Sequence, residues 1–488
     1  MFKINLPNEN SDDKVCCTQE WGVGNPIYDG ALSIVIIGAS GNLARTKTYP
    51  SLFRIFKNNL MPVVTSIFGY ARSKLTNEEF REMIRKELDG TEDEIERFLD
   101  RLYYHPGAYD NDEDYLSMTS ELETHEHSMC KIYMNNTKNT TCSSNRLFYL
   151  AIPPSLFIQV ATSLNKNCRS AGGFNHLIIE KPFGRDLTSC KDLNDQILSL
   201  FNEDEIYRID HYLGKEMVQN LLVLRFGNLL LSPLWNNLYI DNVQIIFKEK
   251  KGVNGRGGYF DQYAMEQPVS LAAHDIRDEK AKVLKSIPPL KLEEVVVGQY
   301  GRDETDSQES YREDPSVPAD SLTSTFAAAI MHINNNRWAG VPFYLKCGKG
   351  LDEDKAEIRI QFKSILAPLF GHIQRDELVI RVQPDTSIYM KMNVKSPGLT
   401  TQPMLSELDL TYKQRYDSAY IPDAYEKLII DCMRGDHSHF VRTDELEGSW
   451  RIFTPLLHQI EDKKVVPISY PRGSRGPYQW KEPILKSA

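Results

Sequence analysis

A run of apolar residues near the start of the chain predicts a buried strand. Residues 32–37 read Leu-Ser-Ile-Val-Ile-Ile, and they end at Gly38. A short, nearly continuous apolar run is typical of a parallel strand that is covered on both faces. Apolar residues then recur at helical spacing from 43 to 56, and a second apolar run at 63–70 predicts another strand. The pattern therefore predicts a β-α-β unit at the start of an α/β domain.

The hydrophobic pattern changes along the chain. Strand-like runs at 146–152 and 176–179 lie beyond a helical stretch at 77–99, so the α/β pattern continues over roughly the first 200 residues. Residues 120–145 are polar and poor in bulky apolar side chains, which predicts a surface excursion. Beyond about residue 240 the strands are longer and alternate between apolar and polar positions, which predicts a large, mainly antiparallel sheet. These strands are predicted at 242–247, 324–333, 358–362, 378–382 and 388–392.

Two helices are predicted to close the chain. One covers 423–434, with Asp423 as N-cap and Gly435 after its end, and the other covers 444–460, with capping-box spacing from Asp444 to Glu447. A chain of 488 residues is too long for a single hydrophobic core. We therefore expect a flexible leader over 1–30, an α/β domain over 31–208 and a β+α domain over 209–488.

Composition and charge exclude several classes of protein. The chain has 57 Lys and Arg against 67 Asp and Glu, a net charge of −10, and it has no long basic run, so we expect no nucleic-acid partner. No apolar stretch reaches the roughly 18 to 20 residues of a bilayer span, and the start of the chain has no readable secretory signal. The eight cysteines lack metal-binding spacing, which predicts reduced thiols, no metal site and a cytoplasmic protein.

The turn after the first strand has the composition of a dinucleotide-binding loop. Small residues at Gly38, Gly41 and Ala44 allow a tight turn, a close approach of the backbone to a pyrophosphate and close helix packing. A purely structural tight turn explains the same residues. The second strand ends in Arg72 rather than in the acid that holds a ribose 2′-hydroxyl, so NADP is favoured over NAD. Lys47 either adds charge to this site or is a solvated surface lysine.

Two further motifs have cations where an anionic ligand could bind. Lys181 stands directly before a proline at the carboxyl end of a predicted strand, where parallel sheets bind ligands. His211 and Lys215 are four residues apart, and on a helix that begins near Asp210 they share one face at its positive end. That arrangement predicts a phosphate pocket, although an exposed His and Lys pair would show the same spacing.

With these motifs the chain resembles the glucose-6-phosphate dehydrogenase family over about residues 33–477. The resemblance implies a Rossmann coenzyme domain and a β+α domain with a large sheet. It also implies hydride transfer from C1 of glucose 6-phosphate to NADP⁺, which gives the lactone, and a homodimer or homotetramer formed through the sheet domain. It rests on 38–43, 69–73, 180–185, 208–218, 255–261, 340–348, 378–384, 406–412 and 473–477.

The resemblance also implies the roles of individual residues. Lys181 would contact both coenzyme and sugar, and Asp210 would orient the catalytic histidine. The coenzyme contacts would be Gly38, Ala39, Ser40, Gly41, Asn42, Leu43, Ala44, Arg45 and Arg72, with Lys47 as a candidate. The sugar phosphate would be held by His211, Tyr212 and Lys215, and the substrate region by Glu249, Lys349 and Gln383. A second, structural NADP would bind Lys355, Arg359, Arg381, Tyr389, Lys391, Arg475 and Trp480.

The chain departs from the family at the position of the catalytic base. The resemblance implies a further segment after Tyr263, with a substrate-binding Asp and the His that takes the C1-hydroxyl proton, but here Ala264 follows directly. His274 is the histidine nearest to this junction, and the family pattern places it in a loop. An acid, Asp354, also stands where the family has a cation on the substrate side. Loss of a base removes about 10²- to 10⁴-fold of rate.

Three interpretations of the short junction stay open. In the first, the chain is a working enzyme whose gene encodes the segment, and the segment is lost here through exon skipping or a faulty gene model. In the second, the chain is a non-catalytic paralogue that binds NADP and sugar phosphate. In the third, it is a subunit that joins active subunits and modulates them. Glucose-fructose oxidoreductase-like dehydrogenases are the alternative family, because they share Glu-Lys-Pro at a strand end. Residues 208–215 and 473–477 argue against them.

Overall fold

A computed structural model describes residues 30–137, 142–250, 260–303, 305, 307–367, 369–371 and 373–480. The predicted leader and the glycine-rich stretch at 251–259 lie outside these residues. The chain forms two compact units. The first contains the described residues up to Lys181, with Gln196–Ile209 and Ser418–His437, and the second contains Pro182–Asp195, Asp210–Asp417 and the described residues from Ser438 onward.

The first unit is built on a six-stranded parallel sheet, which confirms the α/β prediction. Its strand order is β3-β2-β1-β4-β5-β6. The order reverses between β1 and β4, and ligands bind to open parallel sheets at such a switch point. All residues of β1 are buried, as its apolar sequence predicts. The strands are β1 Ala31–Ile37, β2 Thr65–Ala71, β3 Leu102–Pro106, β4 Ser144–Leu150, β5 Asn175–Glu180 and β6 Ile206–Ile209.

The second unit is built on a nine-stranded sheet that is mainly antiparallel, again as predicted. Its order is β14-β13-β12-β11-β7-β10-β9-β8-β15, in which only β7 with β10 and β8 with β15 pair in parallel. A large apolar core lies against this sheet. The strands are β7 Ile240–Glu249, β8 Val295–Gly301, β9 Phe326–His332, β10 Pro342–Lys349, β11 Lys355–Phe362, β12 Glu377–Gln383, β13 Ser387–Lys395, β14 Pro403–Thr411 and β15 Ile468–Pro471.

Helices connect the strands. A short π-helical segment, Ala44–Thr48, precedes the first of them. None of the helices in the described part of the chain has both the length and the apolar character needed to cross a bilayer. The helices are α1 Tyr49–Lys57, α2 Asn77–Arg85, α3 Glu92–Leu99, α4 Asp112–Thr137, α5 Phe157–Asn167, α6 Leu187–Leu198, α7 Glu216–Phe226, α8 Phe260–Ala264, α9 Ala273–Lys285, α10 Tyr412–Arg415, α11 Ala424–Arg434 and α12 Thr443–Asp462.

The predicted surface excursion at 120–145 was wrong, because α4 extends to Thr137. Tyr115, Met118 and Leu122 are fully buried at helical spacing. Glu126 lies further along the same helix, and its carboxylate forms a buried ion pair with Arg146 on β4, at 2.7 Å. The polar composition therefore reflects the solvent face of a long helix, and the buried face is narrow and partly charged.

The cysteine prediction was also wrong in one place. Cys130 near the end of α4 and Cys142 just before β4 form a disulfide, with 5.5 Å between their Cα atoms. The pair is separated by 12 residues, so spacing alone does not indicate it, and the packing of α4 beside β4 brings the two thiols together. Four cysteines of the described chain are free thiols, namely Cys168, Cys190, Cys347 and Cys432.

The caps of the last two helices were predicted with mixed success. Asp423 caps α11, whose end is followed by Gly435 at a φ of 73°, and both were predicted. The second cap was misplaced, because α12 begins at Thr443 and its N-cap is Arg442, whose backbone N–H donates to Glu445. Lys280 forms an ion pair with Glu445 at 3.0 Å, and both side chains are buried. This tertiary contact places Glu445 in the capping role that spacing had given to Glu447.

Candidate functional site

The turn after β1 has the geometry of an anion-binding loop. Gly38 has a φ of 86°, and a Cβ atom there would lie 2.4 Å from the carbonyl oxygen of Ala151. The N–H of Gly38 donates to the backbone carbonyl of Tyr70 at 2.8 Å, and the N–H of Gly41 donates to the carbonyl of Gly38 at 2.8 Å. Only glycine fits this conformation and this space. The turn leads directly into a helical segment at the switch point of the sheet, where a helix N-terminus favours a phosphate.

The other residues of this loop differ in how free their side chains are. Ala39 and Ala44 are buried, and the Ser40 hydroxyl hydrogen-bonds that of Ser73 at 2.9 Å. Arg45 forms an ion pair with Glu87 at 2.6 Å, so much of its charge is compensated within the protein. Asn42 and Lys47 are exposed, and Leu43 is half-buried. The two interpretations of Lys47 both remain compatible with its exposure.

Arg72 is exposed directly after β2, and its guanidinium lies 5.4 Å from the ring centroid of Tyr109. Among the ion pairs formed by the described residues, none includes Arg72. The stretch from 70 to 76 also contains no Asp or Glu. A cation without a carboxylate partner at this strand end suits a 2′-phosphate better than a 2′-hydroxyl.

Lys181 follows β5 at the same carboxyl edge of the parallel sheet that carries Gly38 and Arg72. The residue before it, Glu180, accepts a hydrogen bond from the Tyr149 hydroxyl at 2.5 Å. Burial raises the pKa of Tyr149 well above its usual value, so this hydroxyl stays protonated and donates. The strand end that presents Lys181 is therefore held in place, while its contacts with coenzyme and sugar stay predictions.

The predicted helix around His211 and Lys215 was wrong, because α7 begins at Glu216 and Lys215 is its N-cap. The Asp210 carboxylate accepts from the N–H of Tyr212 at 3.2 Å, and the Asp210 carbonyl accepts from Leu213 at 2.9 Å. These bonds fold the segment into turns rather than into a helix, as Asp commonly does through local side-chain bonds.

The turns nevertheless bring the predicted sugar-phosphate residues together. The His211 ring lies 4.9 Å from the ring of Tyr212, and Lys215 Nζ lies 5.2 Å from the same ring. Gln383 at the end of β12 donates to the Tyr212 hydroxyl at 3.2 Å. We call His211, Tyr212, Lys215 and Gln383 the Tyr212 cluster. Lys215 precedes α7 at its positive end, which favours an anion beside it.

The sheet below the Tyr212 cluster positions the other two substrate candidates. Tyr212 packs edge-to-face on Phe247 of β7, at 5.2 Å. Two residues further along β7, Glu249 lies opposite Lys349 of the parallel neighbour β10. The two side chains form an ion pair at 2.5 Å. Asp354 is exposed and accepts a hydrogen bond from the N–H of Lys250 at 2.7 Å, so part of its charge is directed at the protein itself.

Five of the seven residues predicted for a structural NADP lie together on β11, β12 and β13. Arg381 and Lys391 lie 5.7 and 5.8 Å from the ring centroid of Tyr389. A buried acid, Glu357, links three of the cations, with ion pairs to Arg359 at 2.7 Å and to Lys355 and Arg381 at 3.8 Å. We call Lys355, Arg359, Arg381, Tyr389 and Lys391 the Tyr389 cluster.

The two remaining residues of that set lie elsewhere in the sequence. Arg475 is exposed and pairs with Asp352 at 3.5 Å, and Trp480 ends a short 3₁₀ turn, Tyr478–Trp480. Glu357 of β11 was not among the predicted residues, although the sequence contains a signal for it. Positions 355, 357 and 359 alternate along β11 and so share one face of the sheet, which places an acid between two cations.

The short junction after Tyr263 is packed into the core of the second unit. Tyr263, Ala264 and Met265 are buried. The indole of Trp235 donates to the Tyr263 carbonyl at 3.2 Å, and that of Trp338 donates to the Ala264 carbonyl at 2.7 Å. The junction is therefore a hydrogen-bonded part of the fold.

A buried cation also holds this junction. Arg225 donates to the carbonyl of Gln262 at 3.0 Å and to that of Met265. Burial lowers the pKa of Arg225 to about 9. His274, expected in a loop, instead stands in the first turn of α9, and its side chain is 72% exposed beside Asp275. It is the only imidazole between residues 261 and 280, so nothing in this sequence range replaces a buried catalytic histidine.

The first unit has a parallel sheet with a glycine turn at its switch point, which defines a dinucleotide-binding protein. In the sequence this unit is joined to a second unit that has a large sheet and a cationic cluster. Family models for the NAD binding domain and the C-terminal domain of glucose-6-phosphate dehydrogenase match residues 35–220 and 222–487. The chain belongs to the glucose-6-phosphate dehydrogenase family.

Relatives and solved structures agree with this assignment. The chain is 47% identical over 467 residues to glucose-6-phosphate 1-dehydrogenase of Emericella nidulans, and the alignment covers 91% of this chain and 89% of the relative. It is 48% identical over 495 residues to the cytoplasmic glucose-6-phosphate 1-dehydrogenase 5 of Arabidopsis thaliana, covering 95% and 93%. A solved glucose-6-phosphate dehydrogenase in complex with its substrate glucose-6-phosphate matches with a TM-score of 0.87 and 44% identity, covering 94% of this chain and 98% of that one.

A more distant structure shows the same fold. Glucose-6-phosphate 1-dehydrogenase of Mycobacterium avium matches with a TM-score of 0.76 and 28% identity, over 94% of this chain and 98% of that one. The alignment with the E. nidulans relative is 467 positions long, but it covers only 91% of the 488 residues of this chain. The alignment is therefore longer than the part of this chain that it contains, and the difference is made up of gaps in this chain. That relative therefore has residues that this chain lacks.

Proposed function

We propose that this chain is an NADP⁺-dependent dehydrogenase of glucose 6-phosphate, which transfers hydride from C1 and forms 6-phosphogluconolactone in the oxidative pentose phosphate pathway. The observation that carries the proposal is identity of 47 to 48% over more than nine-tenths of the chain to enzymes of that name. The grouping of His211, Lys215 and Gln383 around Tyr212 supports it, because Gln383 is 171 positions away from Tyr212 in the sequence.

The first unit fits NADP⁺ by two features of its own residues. A Cβ at Gly38 would fill the space that the turn leaves, and Arg72 has no ion pair within the described chain. Gly38 and Gly41 would lie against the pyrophosphate, and Arg72 would bind the 2′-phosphate. When bound, NADP⁺ supplies the hydride acceptor. The domain division that we propose is a coenzyme domain over 31–208 and a substrate and oligomerisation domain over 209–488.

The second unit supplies the groups that bind the sugar phosphate. Lys215 at the positive end of α7, His211 and the Tyr212 hydroxyl offer charge and hydrogen bonds to the phosphate oxygens. Glu249, Lys349 and Gln383 would bind the sugar itself. We expect the hydroxyl-rich ring to require both donors and acceptors, and the Glu249–Lys349 pair provides both.

In the proposed reaction, proton transfer is the step for which this chain lacks the expected base. Oxidation at C1 breaks the C–H bond with transfer of hydride to the coenzyme, forms the C=O bond and releases the hydroxyl proton to a base. Asp210, the residue expected to orient the base, is buried, whereas His274 is largely exposed on α9. We therefore propose slow turnover, because a missing base costs about 10²- to 10⁴-fold.

Three further properties belong to the proposal. The Tyr389 cluster, with Arg475 and Trp480, would hold a structural NADP, since it concentrates cations around an aromatic ring. The chain would form homodimers or homotetramers through its sheet domain. It would be cytoplasmic, as are by name its relatives from A. thaliana and Solanum tuberosum.

The test measures NADP⁺ reduction with glucose 6-phosphate beside an NADP⁺ binding titration on the same preparation. Glucose without phosphate is the control substrate, because it lacks the group that the Tyr212 cluster would bind. Reduction that requires the phosphate supports the proposal. Binding of NADP⁺ without reduction favours a non-catalytic or modulating family member, and absence of NADP⁺ binding overturns the proposed coenzyme.

A further inference from the structure

The loop after β3 holds Tyr109 in a fixed position against the sheet. The N–H of Gly107 donates to the Ala71 carbonyl at 3.0 Å, and the Ala108 carbonyl accepts from the Tyr70 hydroxyl at 2.6 Å. A Cβ on Gly107 would lie 2.4 Å from the Tyr70 hydroxyl oxygen. Only glycine therefore lets the loop lie this close to the Tyr70 ring.

The other side of the same loop forms hydrogen bonds with the start of α4. Asp114 accepts from the N–H of Ala108 at 2.8 Å, and the Tyr115 hydroxyl donates to the Tyr109 carbonyl at 3.3 Å. Tyr109 is only 8% exposed although it lies in a turn. Bonds to β2 on one side and to α4 on the other thus restrict the backbone that carries this ring.

Arg72 lies on the face of this ring, with its Cζ atom 5.4 Å from the centroid. Burial raises the pKa of Tyr109, and the nearby Arg72 only partly opposes this shift, so the ring is neutral at pH 7. The contact is therefore a cation–π contact and leaves the donors of the guanidinium available. A long exposed side chain that would otherwise sample many rotamers is restricted by it.

The backbone around Arg72 is fixed as well. The Tyr104 hydroxyl donates to the Ser73 carbonyl at 2.5 Å and to the Ala71 carbonyl at 3.3 Å. The hydroxyl of Ser73 is bonded to that of Ser40 in the glycine turn. With both neighbours of Arg72 held, the direction of its side chain is the main remaining freedom, and Tyr109 restricts that freedom.

We propose that Tyr109 is a positioning residue that holds Arg72 toward the 2′-phosphate of NADP⁺ and so strengthens discrimination against NAD⁺. The inference rests on the proposed function, which supplies the coenzyme. NAD⁺ has a hydroxyl in place of the 2′-phosphate, so it gains little from an ordered guanidinium. Loss of the ring should therefore weaken the binding of NADP⁺ and leave that of NAD⁺ nearly unchanged.

The test compares dissociation constants of both coenzymes for Tyr109→Leu and Tyr109→Phe. Tyr109→Leu should weaken NADP⁺ about fivefold and NAD⁺ less than twofold, since an exposed cation–π contact is worth a factor of about two to five and freed rotamers add to it. Tyr109→Phe keeps the ring and should restore the NADP⁺ preference. Equal weakening of both coenzymes by Tyr109→Leu would show that the ring only supports the fold and would overturn the proposal.

A matched control and a double variant separate the remaining outcomes. Tyr103→Leu removes a ring of the same unit that lies under Arg81, at 5.9 Å, and should leave the ratio of the two constants unchanged. In an Arg72→Gln background, Tyr109→Leu should have no further effect on NADP⁺. A persistent effect there would mean that the ring touches the coenzyme directly, which also overturns the positioning role.

The parent chain distinguishes this inference from the proposed function. If the parent shows no preference for NADP⁺, the proposed coenzyme fails and the role of Tyr109 fails with it. If the parent prefers NADP⁺ and Tyr109→Leu keeps the full preference, only the role of Tyr109 is wrong. Thermal unfolding of each variant without ligand confirms that the compared proteins are folded.

Discussion

Lys349 and Glu249 lie opposite each other on two neighbouring parallel strands of the second unit, with 2.5 Å between Nζ and Oε2. The lysine side chain is 7% exposed and that of the glutamate 34%. A buried cation depends on its partner more than an exposed cation does. We therefore expect the pair to stabilise the sheet at the place where we propose that the substrate binds.

We predict that Glu249→Gln lowers the free energy of unfolding by about 1 to 3 kcal/mol, because Lys349 then loses its charged partner while solvent still reaches the site of the glutamate. Urea unfolding measures this change. Lys413→Gln is the control, since it breaks an ion pair with Asp385 in the same unit whose side chains are 78% and 62% exposed. The control should change stability by at most about 0.5 kcal/mol. Equal effects of the two variants would contradict the prediction.

Charge reversal at Arg72 should remove the preference for NADP⁺. Arg72→Glu replaces the cation that we propose binds the 2′-phosphate by an acid that would repel it, so NADP⁺ should bind at least about tenfold more weakly while NAD⁺ changes little. Coenzyme titrations measure both constants. Arg97→Glu reverses a charge on α3 that is 65% exposed, and it should change neither constant more than twofold. If the unmutated chain binds both coenzymes equally, the assignment of Arg72 is wrong.

Lys215→Ala should weaken glucose 6-phosphate far more than NADP⁺. A charge-assisted contact to a phosphate is worth about 1.5 to 3 kcal/mol, which is roughly a 10- to 100-fold change in the dissociation constant. Calorimetric titrations with each ligand measure the two effects. Lys282→Ala removes an exposed lysine of α9 and should leave both affinities unchanged. Equal weakening of both ligands by Lys215→Ala would indicate misfolding rather than a phosphate pocket.

Turnover by the unaltered chain should lie at least about a hundredfold below that of a family member with the full segment. Steady-state NADP⁺ reduction measures it. A family segment inserted between Tyr263 and Ala264 should raise the rate, and the same insert with its histidine changed to glutamine is the control. The insert must also leave carbonyl groups that accept the indole hydrogen bonds which Trp235 and Trp338 make here.

Fast turnover that His274→Ala abolishes would show that His274 is the base. Fast turnover that survives this change would contradict our account of proton transfer.

Stability should fall on acidification because of His176. Burial lowers the pKa of this histidine from 6.5 to about 4 in the folded protein. Between these values the unfolded chain binds the proton and the folded chain does not, so stability is full above pH 6.5 and decreases as the pH falls toward 4. From pH 7 to pH 5 the loss should be about 1 to 2 kcal/mol. Urea unfolding at both pH values measures it.

The control for this prediction compares two histidines. His176→Gln should reduce the difference in stability between pH 7 and pH 5, whatever it does to stability itself. His274→Gln changes an exposed histidine and should leave that difference as it is. A pH dependence that is identical in all three proteins would assign the acid sensitivity to other groups.

Much of the architecture could be predicted from local sequence patterns. The strand at 32–37 follows from an apolar run, and the glycine turn at 38–41 follows from a conformation at position 38 that only glycine adopts without strain. The cap at Asp423 and the end at Gly435 were also correct, since capping depends on residues within one turn. The candidate site residues could be named because motifs in a fixed order resemble one family.

Long-range contacts decided what these local patterns left open. Burial of a narrow face against the sheet made α4 a helix, and the packing of its end beside β4 joined Cys130 to Cys142. Asp210 turned the predicted helix of His211 and Lys215 into a set of turns around Tyr212. Tyr109 lies under Arg72 although 37 positions separate them in the numbering, because β2 and β3 are neighbours in the sheet. Such pairings depend on which surfaces the whole chain buries, and no window of sequence contains that information.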